Sequence, residues 1–516
     1  MPRVVLRFVL LSGLIPLPVL ALATTRCEDA ATSAERALKA GNTGEAKRAL
    51  DSAGEDCSGS RSFLEMKGIA AEMSGDLSSA EQAFRAALTL DAKSARLMTY
   101  LGATWLAEGK APEAAKMLDH AMTLDPSNPT TAKYLAAAYV QLNDWQRAGV
   151  ALDRLGAEKN EALIRDPAVF LWLARVFIET KQSARLKDLL AAGHRPIASA
   201  LLFSLGTLLA QHGMYEQARE YLERIPAADA DEAVEFNLGL VYSHLRRFEA
   251  ARKHYFSATD RHPNYVEAYF HVGLDYAASG EARRAIPWLL RARESSPERA
   301  AISYALAEQL IGLEYFQTAE QVVTAALERT PTDALLQTAE GDVKQAKGDA
   351  AGSIQNYERI LLSHPGFAPA MIGMARASAS EGDDQRAMDT LRAVLSKEPA
   401  NADANGELGS IEVRRNEWKA ALEHLNRARV ADQANSKVAL ELARALVGAS
   451  RPEEALKLIM SLPADVRSSR GAHIVLEKIY MQLHRDTDAE AERAALRLQA
   501  QHADILRFTN PGTYVY

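Results

Sequence analysis

A small residue returns in one register along most of the chain, about every 34 positions, and this period limits what the chain can fold into more than any other feature. Gly68, Gly102, Gly206, Gly239, Gly273, Gly341 and Gly409 hold the slot, and Ala136, Ala307, Ala375 and Ala443 hold it in neighbouring units. About a third of a period later an alanine recurs, as at Ala80, Ala114, Ala251, Ala285 and Ala421. A proline follows at the end of many units, at Pro126, Pro263, Pro297, Pro331, Pro365 and Pro399. Bulky residues fill the intervals, first Trp105, Tyr139, Tyr242 and Tyr276, then Phe84, Leu118, Tyr255 and Leu289. Each unit therefore reads as two short amphipathic helices. The small residues let the two helices approach, the large ones fill the adjoining holes, and proline stops the second helix. No such unit buries its apolar face alone, so neighbours must stack into one elongated core.

The clearest unit runs from Glu232 to Tyr265, with Leu238-Gly239, Tyr242, Phe248, Ala251, Tyr255, Ala258 and Pro263 in order. Its neighbour from Val266 to Arg299 repeats the pattern through Tyr269, Gly273, Tyr276, Gly280, Ala285, Ala292 and Pro297. These residues resemble the tetratricopeptide repeat family, over nearly all of the chain after its start. The resemblance implies an all-α fold, a right-handed α-solenoid of about thirteen helix-turn-helix units, the first around Cys27 to Cys57 and the last ending near Gln499. Between Asp153 and Ile197 the phase slips, which reads as a distorted repeat or hinge. The organisation expected is a leader over 1–23, a repeat run over 24–152, the irregular segment 153–198, a second run over 199–500 and a tail over 501–516. In the tail Asn510-Pro511-Gly512 is a turn signal before Tyr514-Val515-Tyr516, which would either cap the last repeat or act as a loose interaction end.

The start of the chain reads as a secretory signal. Arg3 and Arg7 precede an apolar stretch from Phe8 to Leu20, and Ala21-Leu22-Ala23 has the small-x-small form of a cleavage site. An uncleaved anchor is the rival, opposed by Pro16 and Pro18 and by the shortness of the stretch. Once the leader is removed, no stretch approaches the length of a membrane span. Cys27 and Cys57 are the two cysteines of the chain, and an even pair after an export signal suggests a disulfide across the ends of the first hairpin. A metal site is the other reading, disfavoured by the lack of CxxC spacing. The net charge is −7 with no strongly basic patch, so the electrostatic footprint of a nucleic-acid binder is missing.

The repeats leave no room for a separate catalytic domain, and the common catalytic signatures, HExxH, GxSxG and CxxC among them, do not occur. His194, His212, His244, His254, His262 and His271 crowd one region but at scattered repeat positions, so no metal ion and no cofactor is expected. Binding is the expected activity. By resemblance the first helix of each unit lines a concave groove that takes extended peptides or partner domains. The fifth position of the unit reads Phe203, Phe236, Phe270 and Tyr304 in four successive units, with Leu240 and Leu274 at the ninth. Such a column either receives an apolar segment of a partner or packs sideways and stabilises the stack. Further on the face turns polar, with Asp342, Arg376, Arg414 and Arg444. The lysine and asparagine clamp of chaperone-docking members is not seen at these positions. The function expected is a non-catalytic scaffold or adaptor, periplasmic or secreted, with a protein or peptide partner. A subunit of a polysaccharide-export or secretion complex and an enzyme accessory are the alternatives.

Overall fold

The computed structural model of this 516-residue chain describes residues 17–53, 55–156, 165–192, 198–431 and 435–509. Residues 1–16 of the expected leader, His194, and the expected turn and tyrosines of the tail lie outside the described residues. Among the described residues every regular element is helical. Two compact units divide the chain, Met1–Ile225 and Pro226–Tyr516.

Each unit is a row of helical hairpins. In the first, Arg61–Met73 pairs with Leu77–Leu90, Ala95–Ala107 with Ala111–Leu124, Pro129–Gln141 with Trp145–Leu155, and Ser199–Gln211 with Tyr215–Leu222. The second unit begins with Glu232–His244 on Phe248–Arg261 and Val266–Ala278 on Ala282–Ser295. Ala300–Gly312 on Phe316–Leu327, Ala334–Ala346 on Ala350–Ser363 and Ala368–Ser380 on Asp384–Lys397 continue the row. Ala402–Arg414 on Trp418–Ala431, Ser436–Gly448 on Pro452–Met460 and Arg470–Gln482 on Asp486–Thr509 complete it.

The periodic small residue has a direct steric cause. A Cβ placed on Gly68 would lie 2.5 Å from the Phe84 ring, one on Gly102 2.6 Å from Leu118, one on Gly341 2.5 Å from Tyr357. The second helix drives its largest side chain into the notch that the glycine leaves on the first. Phe84, Tyr255 and Tyr357 all sit opposite glycine, and where alanine takes the slot, at Ala136, Ala307, Ala375 and Ala443, the corresponding residues are the smaller Leu152, Val323, Leu391 and Ile459. The turn within each hairpin needs one residue with positive φ. Gly75 (φ 81°) and Gly109 (φ 78°) meet this freely, whereas Asn143, Arg246 and Asn416 adopt it despite a side chain. Asp and Asn caps then start the helices, as Asp231 accepts the Val234 N–H at 2.9 Å and Asn401 that of Ala404 at 2.9 Å.

The phase slip in the sequence falls around the helices Pro167–Glu179 and Ser183–Ala192, which have residues 157–164 before them and 193–197 after them outside the described residues. Pro167–Glu179 and Ser183–Ala192 still pair as a hairpin. At the other end of the unit, Leu17–Lys39 packs on Thr43–Asp51, and a disulfide joins the buried Cys27 and Cys57 with their Cα atoms 5.5 Å apart. No described helix is long and apolar enough to cross a membrane.

Candidate functional site

The second unit curls back on itself. Arg246, in the turn of its first hairpin, donates from Nη2 to the Ala431 carbonyl at 2.7 Å, across 185 residues of sequence. Ala431 is the last described residue of the helix Trp418–Ala431. Side chains of the first helices meet across the inside of the curve. Asp403 acts electrostatically on Glu308 three hairpins away, and Arg376 on Tyr304 two hairpins away. Such effects are largely screened beyond about 10 Å, so a straight row could not bring these groups within range.

The inner face carries a run of charges on successive first helices. Arg376 is the pivot, with Nε 3.1 Å from Glu407 Oε1 and Nη1 3.7 Å from Asp342 Oδ1. Lys437 Nζ reaches the same Glu407 oxygen at 3.0 Å, and Tyr357 donates its hydroxyl to Asp342 Oδ1 at 2.8 Å. Arg444 meets Glu441 at 2.8 Å, and Arg414 meets Asp384 at 2.6 Å. Burial pushes the Glu308 carboxyl up to about 7, with Asp342 and Asp403 adding to the push. Its side chain is nevertheless open to water. Protein surrounds it without covering it, so water weakens both the desolvation and the repulsion behind that push. Asp342 is raised as well by burial, against the pull of Arg376 and of the Tyr357 hydroxyl. Desolvation works against the Arg376 charge, but Glu407 and Asp342 outweigh it and hold the guanidinium charged.

The column at the fifth position lies mostly in the seams between hairpins. Phe270 is 8% exposed, belongs to the core, and has the Arg299 guanidinium 5.0 Å from its ring centre. Phe236 is half-buried between Tyr265 at 5.1 Å and the edge-on His271 at 5.4 Å. Leu240 packs beside it, and Leu274 and Tyr304 pack against the core of the next hairpins. Phe203 is half-buried in the first unit. The structure thus brings Phe236, Leu240, Phe270, Leu274 and Tyr304 together along one set of seams, and places Asp342, Arg376 and Arg444 on the charged face. Glu308, Glu407, Lys437 and Glu441 were missed by sequence reasoning. Glu308 could have been found, since it holds the ninth position between Leu274 and Asp342 at the same 34-residue step.

Behind the seam of the first two hairpins lies a buried polar group. Asp275, 2% exposed, accepts from Ser243 Oγ at 2.5 Å. Its Oδ2 and the hydroxyl of the fully buried Tyr255 are cut off from solvent and have no hydrogen-bond partner among the described residues. Burial pushes the Asp275 carboxyl up to about 7 in spite of Ser243 and Arg252, and burial drives the neighbouring His271 down to about 4. Among the described residues no group of His, Cys, Asp or Glu is arranged to hold a metal ion.

Two family models described as tetratricopeptide repeat match residues 105–169 and residues 19–95, 65–129, 236–300 and 385–437, together more than half of the chain. The chain belongs to the tetratricopeptide repeat family. Members of the family bind protein partners and are generally scaffolds without catalytic activity. This tetratricopeptide repeat protein is 20% identical over 403 residues to the cellulose synthase operon protein C of Pseudomonas fluorescens (strain SBW25), a match over 76% of this chain and 27% of that one. The chain thus spans about a quarter of that relative's length. Among solved structures, it is similar to a tetratricopeptide repeat protein from Parabacteroides merdae, at 19% identity and a TM-score of 0.42 over 48% of this chain and 98% of that one. It is also similar to yeast Tom70, at 15% identity and a TM-score of 0.39 over 87% of this chain and 99% of that one.

Proposed function

We propose that this protein is a non-catalytic adaptor that works outside the cytoplasm and holds a segment of a partner protein against the inner first-helix face of its second unit. The observation that carries the reading is the run of Glu308, Asp342, Arg376, Glu407 and Lys437 on successive hairpins, turned toward one another inside a curve closed by Arg246. Charges solvated at random on outer helix faces contribute little and need no alignment; these are aligned, and held in place by mutual ion pairs. In this reading the column from Phe236 to Phe270 stiffens the seams behind the face, and Tyr304, beside Glu308, reaches the partner. The leader-like start and the Cys27–Cys57 disulfide support a site of action beyond the cytoplasm.

A second reading is a subunit of an envelope polysaccharide-export or secretion complex. What favours it is the similarity over 403 residues to a protein named for a cellulose synthase operon.

A photo-cross-linking residue at Lys437, whose side chain is 65% exposed on the inner face, tests the adaptor reading against the same residue at Leu362, 85% exposed on a second helix. A discrete adduct from position 437 in cells and none from position 362 is the expected result. Equal adducts from both, or adducts from 362 alone, would overturn it. Mass spectrometry of the N-terminus checks export, with Thr24 as the expected first residue.

A further inference from the structure

A shallow dish opens on the first unit, and three successive hairpins build it. Asn143 and Trp145 come from the turn and start of Trp145–Leu155, and Trp172 and Arg175 from Pro167–Glu179. Ser204, Thr207 and Gln211 come from Ser199–Gln211, where steps of three and four residues put them on one side of the helix. The dish has a volume of about 330 Å³. That is near the lower end for ligand pockets, which run from roughly 300 to 1,000 Å³. A folded partner does not fit in it.

The lining combines flat apolar rings with neutral polar groups. Trp172 is half-buried and stacks on no ring or guanidinium among the described residues. Trp145 has the Arg175 guanidinium 5.2 Å from its ring centre. The carboxamides of Asn143 and Gln211 make no side-chain hydrogen bond among the described residues, so each offers both a donor and an acceptor. Ser204 donates its hydroxyl to the Ala200 carbonyl at 2.9 Å, and Thr207 donates to that of Phe203 at 3.0 Å. With their hydrogens engaged, these two hydroxyls turn acceptor lone pairs outward. Arg175 is the charged residue among the described lining residues, and Glu179 Oε1 lies 3.3 Å from its Nε, so the dish carries no net charge.

These properties select a class of ligand. An apolar molecule would strip water from the carboxamides and hydroxyls without replacing its hydrogen bonds. A charged molecule finds no opposite charge left unpaired. A sugar ring has C–H groups on its flat faces, which suit the electron-rich face of an indole, and hydroxyls around its rim that both donate and accept. We propose that this dish binds a short stretch of neutral oligosaccharide, with a sugar ring laid on Trp172 and its hydroxyls met by Asn143, Arg175, Ser204, Thr207 and Gln211. The site belongs to the first unit and does not rest on the adaptor reading.

The test titrates the full chain with cellopentaose, maltopentaose and chitopentaose, read by saturation-transfer NMR on the sugar and by indole fluorescence. At least one of them binds, with a Kd of roughly 0.1–1 mM because the dish is shallow. Trp172→Ala lowers that affinity by about tenfold, and Asn143→Gly and Gln211→Ala by about three- to fivefold each. The last two variants keep the test independent of folding, since Gln211 is exposed and glycine suits the positive φ of residue 143. Circular dichroism checks the helices of all three, and Trp288→Phe in the second unit leaves the affinity unchanged. Binding of none of the three sugars, binding that the site variants do not lower, or tighter binding of a pentagalacturonate or of a serine–glycine peptide would overturn the proposal. A discrete adduct at position 437 without sugar binding would leave the adaptor reading standing and remove the saccharide site alone.

Discussion

Asp275→Asn should reverse part of the pH dependence of the second unit. In the fold the Asp275 carboxyl holds its proton up to about 7, where its ordinary value is 3.8. Below pH 4 both the folded and unfolded chains are protonated there and the residue carries no penalty. Between pH 4 and 7 the unfolded chain releases the proton while the fold must keep it, so stability falls as pH rises; above 7 the loss is constant. Each pH unit of that interval is worth 1.36 kcal/mol, giving about 4 kcal/mol in all. The residue is 2% exposed, so solvent screening takes little from this figure. Asparagine keeps the shape, still accepts from Ser243, and can offer its amide hydrogens to the Tyr255 hydroxyl. Because repeat arrays open locally, amide hydrogen exchange over residues 232–295 is the direct assay, with urea melts of the whole chain beside it. At pH 8 the variant should be more protected than the natural chain by up to about 4 kcal/mol, and at pH 4.5 the gap should shrink to about 1 kcal/mol. Parallel pH profiles, or a variant weaker by the same amount at every pH, would refute the reasoning.

The remaining predictions concern packing and cross-linking. Gly341→Ala places a Cβ 2.5 Å from the Tyr357 ring and should destabilise its hairpin by about 1–3 kcal/mol through overpacking, seen as lost protection confined to residues 334–363. Tyr357→Phe removes the hydroxyl that Asp342 accepts at 2.8 Å and should lower stability by about 1 kcal/mol; no change in a urea melt would contradict that hydrogen bond. Cys57→Ser opens a loop whose ends are 30 residues apart, worth about 3–4 kcal/mol in the chain-entropy account. Its first hairpin should exchange freely while protection past Arg61 persists, and unchanged exchange over residues 25–59 would exclude a stabilising role for the disulfide.

The architecture was legible because its cause is local. Gly68 and Phe84, or Gly341 and Tyr357, are partners within one hairpin, and the need for a notch opposite a ring marks the sequence at a fixed spacing. The period suggested about thirteen units; fourteen hairpins stand among the described residues, the one at 167–192 included. That hairpin was obscured because it lies in the stretch where the register of the small residue slips. The placement of the aromatic column was less legible. A residue at the fifth position lies at the boundary between groove and seam, and a small rotation of the helix decides between them. Phe270 turned into the seam because Arg299 of the following turn covers it. The contact between Arg246 and Ala431 left no trace in the sequence at all, since it depends on rotations summed over five seams.

That contact has a mechanical consequence. A coil whose edges touch resists stretching until the touching groups part, and yields gently afterwards. Pulling on the two ends of the second unit must first break the Arg246 hydrogen bond to Ala431, a short-range interaction that fails over less than an ångström or two of travel. Further extension is then shared as slight rotations among many neighbour interfaces, none of which has to lose its core. The first resistance of the unit to stretching is that one exposed hydrogen bond, worth about 1 kcal/mol, and the larger part comes from the many neighbour interfaces that share the rotation.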